Sequence, residues 1–244
     1  MFRSAFSGPI TRWTIDQTQI RLDHSDWVER LDHERFEKTW YCPLTDSFLI
    51  SVFHHTNSIS GKDRRPAFRE LSYFSDPKKI KEYITDKKID RIVLLEDFVG
   101  TGTQVYNALK WAVTSINVPI LFCPMIISRE ASLKFLELKS SLQDPSLFEI
   151  DPVLELDANC FVLSKEGASS NLYQNIRKLA DKIHIALNHD APKEGALGFW
   201  NNDSAEKGAM VVLFSNTPNS TVSFVHHHSR NWAPLFPRVT RSFL

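Results

Sequence analysis

The sequence predicts an α/β fold in which a central parallel sheet is flanked by helices. Three observations carry this reading. Apolar runs of strand length occur at residues 92–95, 118–128 and 210–214. Segments with helical spacing of apolar residues lie between and beside them, at 103–116, 129–141 and 171–188. The run 92–95 is apolar at consecutive positions, as a strand covered on both faces requires.

The elements follow in order. Residues 14–38 are rich in charge, with Trp27, Leu31 and Phe36 spaced for one helical face. They define a helical N-terminal appendage over 1–40, before an α/β core over 41–215 and a small C-terminal hood over 216–244. After Pro43 the chain is mostly apolar to residue 55 but contains Thr45-Asp46-Ser47. Residues 57–69 are polar and basic, with Gly61, Lys62, Arg64, Arg65 and Pro66, the composition of a mobile loop. Asp76-Pro77 reads as an N-cap followed by proline at the first helical position. A strand is expected at 91–97 and a helix at 103–116, the latter burying Val105, Leu109, Ala112 and Ile116. The strand within 118–128 is expected to fray at Pro119 and Pro124, and the one at 148–156 to break at Pro152. The helix at 171–188 is expected to turn Leu172, Ile176, Leu179, Ile183 and Leu187 inward. A final buried strand is expected at 210–214.

Composition excludes several classes. The chain has 244 residues, 42% hydrophobic and 24% charged, which is ordinary for a globular protein. Basic and acidic residues balance at 29 each, so net charge gives no drive toward nucleic acid or an anionic membrane surface. No apolar run approaches the roughly 18 residues that span a bilayer. The first ten residues lack an apolar run of signal-peptide length. Cys42, Cys123 and Cys160 are scattered and odd in number, without metal spacing or a disulfide framework. These features lead to an expectation of a cytoplasmic protein. Cys123 lies in an apolar run and reads as core.

The most informative segment is residues 91–104, Arg-Ile-Val-Leu-Leu-Glu-Asp-Phe-Val-Gly-Thr-Gly-Thr-Gln. An apolar strand runs into two adjacent carboxylates, Glu96 and Asp97. Phe98 and Val99 follow, then a loop of Gly100, Thr101, Gly102 and Thr103, then Gln104 and a helix. Paired carboxylates can accept hydrogen bonds from two vicinal ribose hydroxyls. A Gly/Thr loop at a helix N-terminus can offer amides and hydroxyls to a phosphate. Ligands of parallel sheets sit beyond the carboxyl ends of the strands, which is where this segment lies.

The segment resembles the phosphoribosyl-diphosphate motif of type I phosphoribosyltransferases. The resemblance implies that Glu96 and Asp97 hold the ribose and that Val99, Gly100, Thr101, Gly102, Thr103 and Gln104 hold its 5′-phosphate. It implies Mg²⁺ with the diphosphate, and no residue is identified as a direct metal ligand. A Cβ at Gly102 is expected to intrude where the backbone approaches the ligand. Two positions depart from the motif. Gly100 stands where many members have an acid, and Gln104 where Thr or Ser is usual.

Two further stretches extend the likeness: Asn216-Thr-Pro-Asn219, and Trp232-Ala-Pro-Leu-Phe-Pro-Arg238. With the loop, they make the chain similar to the PRTase-CE group, phosphoribosyltransferase-like proteins of bacterial anti-phage and other conflict loci. Asn216 and Asn219 suit either a base or ribose contact or an Asx turn that reverses the chain. Trp232 suits either stacking on a base or a plug over the core. Arg238 suits a phosphate or a surface ion pair. Lys62, Arg64 and Arg65 fall where the enzymes bring a basic loop over the diphosphate, and the alternative is a solvated charge run. Thr45-Asp46-Ser47 falls where the pyrophosphate-contacting loop lies. Residues 226–228, His-His-His, alternate in direction on a strand, so at most two share an ion, and an incidental run is the simpler reading.

The resemblance implies binding of phosphoribosyl diphosphate or a nucleotide. Two functions follow from it. One is a transferase-like enzyme that makes or breaks a bond at the ribose anomeric carbon, serving in anti-phage defence. The other is a non-catalytic sensor of such a ligand that regulates a protein partner from a neighbouring gene. Direct nucleic-acid or membrane binding is not expected.

Overall fold

The computed structural model describes residues 1–45, 47–59, 77–157, 160–161, 171–187, 208–209, 211–213, 217–218, 221–228 and 232–237. The chain divides into two compact units, Met1–Glu155 and Leu156–Leu244.

The first unit is built on a parallel sheet. Strands β1 (Thr39–Pro43), β2 (Arg91–Val99), β3 (Ile120–Ser128) and β4 (Phe148–Ile150) lie side by side in that order. All three pairings are parallel. β2 is an interior strand, flanked by β1 and β3, as its unbroken apolar run requires. It runs two residues beyond the expected end at 97. β3 does not fray at Pro124, and all nine of its residues are buried. Proline lacks only the amide, and Pro124 O still joins the ladder by accepting from Val153 N at 3.0 Å. Pro152 breaks the next strand as expected, leaving β4 and then β5 (Leu154–Leu156), both paired with β3.

Helices cover both faces. On one, α5 (Pro77–Asp86), α6 (Thr103–Ser115) and α7 (Arg129–Ser140) bury Ile80, Leu109 and Phe135 against Trp40, Ile92, Leu94 and Phe122. The expected α6 face, Val105, Leu109, Ala112 and the following Ile116, is buried throughout. α5 begins at Pro77, whose fixed φ and missing N–H suit a first helical position. On the other face the chain's first residues form α1 (Phe2–Ala5), a π-helical turn at Phe6–Ile10 and α2 (Thr11–Thr18). Pro9 lies in that turn, where its missing amide opens the helical ladder. Phe6 and Phe53, the latter on α4 (Ile50–Thr56), pack on Tyr41 of β1 at ring distances of 6.0 and 5.7 Å. α3 (Trp27–Phe36) buries Leu31 and is tied to the start of β2 by Arg91–Glu34 at 2.8 Å.

In the second unit, α8 spans Asn171–Leu187 and α9 spans Ser223–His226. α8 buries Ala180, while Leu179, expected inward, is 57% exposed. The side chains of Leu172 and Leu187 lie outside the described ones. Val211–Leu213 is not a strand. The pairing falls instead at Ala209, which bridges Phe161 and Thr221. The Thr221 hydroxyl takes the Val211 carbonyl at 2.6 Å, in place of a ladder bond.

No helix among the described residues is long and apolar enough to cross a membrane.

Candidate functional site

Parallel pairing brings the acidic pair together with a distant turn. β1 and β2 align from Thr39↔Arg91 to Pro43↔Leu95, and Leu44 N extends the ladder to Leu95 O at 3.0 Å. The chain leaving β1 therefore passes beside Glu96 and Asp97. Thr45 Oγ1 and Ser47 Oγ each lie 2.8 Å from Glu96 Oε1, and Ser47 Oγ is also 3.0 Å from Asp97 Oδ1. The two hydroxyls are 2.7 Å apart. Backbone amides add to the cluster: Phe98 N donates to Asp97 Oδ1 at 2.7 Å and Asp97 N to Glu96 Oε1 at 3.2 Å.

This cluster has more contacts than protons. Two hydroxyls carry one proton each, yet four oxygen–oxygen contacts of hydrogen-bond length join them to each other and to the carboxyls. A proton on the carboxyl pair fills a third. Electrostatics agree, since burial first, and then the adjacent Asp97, push the Glu96 carboxyl well above its usual range.

Both residues are almost fully buried, Glu96 at 2% and Asp97 at 3% exposure. The inner oxygens take all the bonds just described. The second oxygens, Glu96 Oε2 and Asp97 Oδ2, are buried without a partner. A buried carboxylate oxygen left in this way costs about 1–3 kcal/mol or more unless a ligand supplies the donor.

The loop beyond β2 is fixed from β3. Their register, ending at Val99↔Ile127, places Ser128 beside Gly100. The Ser128 hydroxyl donates to Gly100 O and accepts from Ala131 N at 3.1 Å, so one side chain caps α7 and holds the loop. Gly102 caps α6 in a left-handed conformation, φ 74° and ψ −6°. Gly102 itself has no side chain to cap this helix start; Thr103 N donates to Thr101 Oγ1 at 3.4 Å, and the amides that follow it in the first turn are the donors open to an anion. Thr101 Oγ1 donates to Thr103 Oγ1 at 3.1 Å, which also receives Lys134 Nζ at 3.4 Å. Val99 is buried, and Gln104 is exposed on the first turn of α6.

One expectation about this loop is corrected. A Cβ on Gly102 meets the Phe135 ring at 2.8 Å and Ala131 at 3.4 Å, both on α7. Glycine is required there by packing and by its positive φ. The added carbon points into the core rather than at a ligand.

Of the other sequence-derived candidates, Lys62, Arg64, Arg65, Asn216, Asn219 and Arg238 lie outside the described residues, as does Asp46. Trp232 lies in the second unit, 36% exposed, with its indole N–H donating to Phe224 O at 2.9 Å. His226 is buried at the end of α9, with Nε2 3.2 Å from Thr221 O. Among the described residues no group of three or more His, Cys, Asp or Glu side chains is placed to hold a metal ion. Sequence reasoning did not single out Ser128, Lys134 or Phe135. Their separation of 24 to 39 residues from Gln104 or Glu96 leaves no local signal.

The parallel sheet, the buried pair near the end of β2 and the Gly/Thr loop into α6 together form a type I phosphoribosyltransferase-like α/β fold. The family model described as PRTase-CE matches residues 1–238, and the chain belongs to that family. Neither a curated protein nor a solved structure matches the chain.

Proposed function

We propose that the protein binds a 5-phosphoribosyl compound at residues 96–104 and makes or breaks a bond at its anomeric carbon. The observation that carries this reading is the pair of buried, unpartnered oxygens, Glu96 Oε2 and Asp97 Oδ2. They need hydroxyl donors, and two vicinal ribose hydroxyls supply two. The amides at the start of α6 would hold the 5′-phosphate, backed by the positive end of a helix 13 residues long.

Mg²⁺ enters this reading with the diphosphate ligand, where it would neutralise the charge of the leaving group. The protein's own work is positioning and electrostatics. Glu96 and Asp97 orient the ribose from below. Thr45 and Ser47 hold those carboxyls in place. Ser128 and Gly102 set the loop. No described residue stands out as a base toward an acceptor.

A sensor role has one specific observation in its favour. Gly100 carries no side chain, and its carbonyl is taken by Ser128, so this position offers no acid for chemistry at a base. Such a protein would signal to a partner on binding. Action in anti-phage defence, by depletion of a nucleotide, is the finer proposal for the enzyme and rests on family membership.

Calorimetry with phosphoribosyl diphosphate, with Mg²⁺ present, tests the shared claim, with nucleoside monophosphates as the second probe. Binding is expected, and its loss in the Glu96→Gln, Asp97→Asn double variant. No heat from any of these with folded protein overturns both readings. Turnover of phosphoribosyl diphosphate separates enzyme from sensor.

A further inference from the structure

Lys134 is the charged group at the loop that the proposed function leaves unused. It lies on α7 and is half-buried, and it reaches the loop that opens α6. Its Nζ donates to Thr103 Oγ1 at 3.4 Å and sits 5.0 Å from the centre of the Tyr106 ring. Two other half-buried lysines show what this residue lacks. Lys38 meets Asp90 at 3.3 Å and Lys139 meets Glu149 at 2.6 Å. Lys134 meets no carboxylate among the described residues.

Partly burying an ammonium without an anion is unfavourable, and long basic side chains normally turn their heads to water. Here the head is held at the loop by a hydroxyl and an aromatic face, both from the first turn of α6. An ammonium has three donors, and Thr103 takes one. Thr103 N donates to Thr101 Oγ1 at 3.4 Å, and the amides that follow it in the same turn are oriented for a negative group. A ligand at this connection is indicated independently by the buried, unpartnered oxygens of Glu96 and Asp97 near the end of the strand that leads into it.

We infer that Lys134 is the cation of this anion site and binds the phosphate of the phosphoribosyl ligand together with the first amides of α6. The inference rests on the phosphoribosyl reading above and adds to it a residue 30 positions beyond Gln104. Its part is charge neutralisation. The helix start supplies oriented dipoles, and Lys134 supplies the full charge that a phosphate dianion needs in a partly desolvated place.

The test uses the full chain, with ribose 5-phosphate and unphosphorylated ribose as probes, read by calorimetry at low and high salt. Lys134→Met is expected to weaken ribose 5-phosphate by about ten- to a hundredfold. Binding of ribose itself should not change. Wild-type affinity should fall with salt more steeply than that of the variant. Lys134→Arg, which keeps the charge, should retain most of the affinity. Lys134→Gln keeps a donor toward Thr103 and loses the charge, so it stands in if the methionine variant does not fold. Wild type that binds ribose 5-phosphate, with the Gln or Met variant within about twofold of it, overturns the role of Lys134 alone. Equal losses in the Arg and Met variants overturn it too, by showing that shape rather than charge matters. Wild type that binds neither ribose 5-phosphate nor phosphoribosyl diphosphate overturns the functional reading and this inference with it.

Discussion

Ser47 Oγ lies 2.8 Å from Glu96 Oε1, joining residues 49 apart in the chain. The contact exists because β1 and β2 pair in parallel and the turn after β1 runs alongside the acidic pair. The same hydroxyl is 3.0 Å from Asp97 Oδ1, so one serine holds both carboxyls.

Ser47→Ala should therefore lower stability by about 1–3 kcal/mol, because it removes a hydrogen-bonding hydroxyl shared by two buried carboxyls. Urea unfolding measures this. Ser47→Thr, which keeps the hydroxyl, should recover most of the loss. An alanine variant as stable as wild type would show that the cluster contributes nothing to the fold.

Glu96 makes stability depend on pH. Its carboxyl is raised in the folded state by burial and by Asp97, relative to an ordinary value of 4.5. Above that value the unfolded chain has released the proton while the folded protein still holds it. The folded state then binds more protons, so stability falls as pH rises from 4.5 toward the folded value. Glu96→Gln should flatten this slope and be relatively more stable at neutral pH. Denaturation midpoints from pH 5 to 8 decide the matter, and parallel slopes in the two proteins would count against it.

Ribose binding should show the opposite preference, since hydroxyl donors favour the ionised pair. Glu96→Gln and Asp97→Asn should each weaken a phosphoribosyl ligand by roughly one to two powers of ten, from about 1.5–3 kcal/mol per charge-assisted bond. Wild-type affinity should rise with pH over the range where Glu96 ionises, with proton release visible as a buffer-dependent heat. Affinity that is flat in pH and unchanged in both variants would place the ligand elsewhere.

Gly102→Ala should cost about 1–3 kcal/mol from the positive φ alone. The contact with Phe135 adds to this, as the new carbon meets the ring at 2.8 Å. Shortening the ring in Phe135→Leu should make the alanine less harmful than in the wild-type background. A double-mutant cycle on thermal unfolding measures the coupling, and strict additivity would argue against the contact.

Cys123 should resist alkylation in the native protein. It is fully buried, and burial, with Asp151 nearby, pushes its thiol far above the usual range. Cys42 is buried too, whereas Cys160 is exposed. Intact mass after iodoacetamide at mildly alkaline pH should show one adduct, at Cys160.

Sequence alone determined what is local. Residues 91–104 carry their own strand, acidic pair, loop and helix start, because each depends on neighbours within a few positions. The continuous apolar run at 92–95 implied an interior strand, since only cover on both faces favours it, and β2 is interior. Pro77 and Pro152 mark a helix start and a strand break through missing amides. The fraying expected at Pro124 is absent for the converse reason: whether a missing amide matters depends on which strand lies beside it. Val211–Leu213 and Leu179 differ from expectation because a short apolar run, or one helical leucine, does not say which side finds a partner. Tertiary structure alone decided that Thr45 and Ser47 hold Glu96 and Asp97, that Ser128 fixes Gly100, that Phe135 demands glycine at 102 and that Lys134 reaches Thr103. Each of these joins separate elements through strand register and helix packing, and no spacing along the chain encodes such a distance.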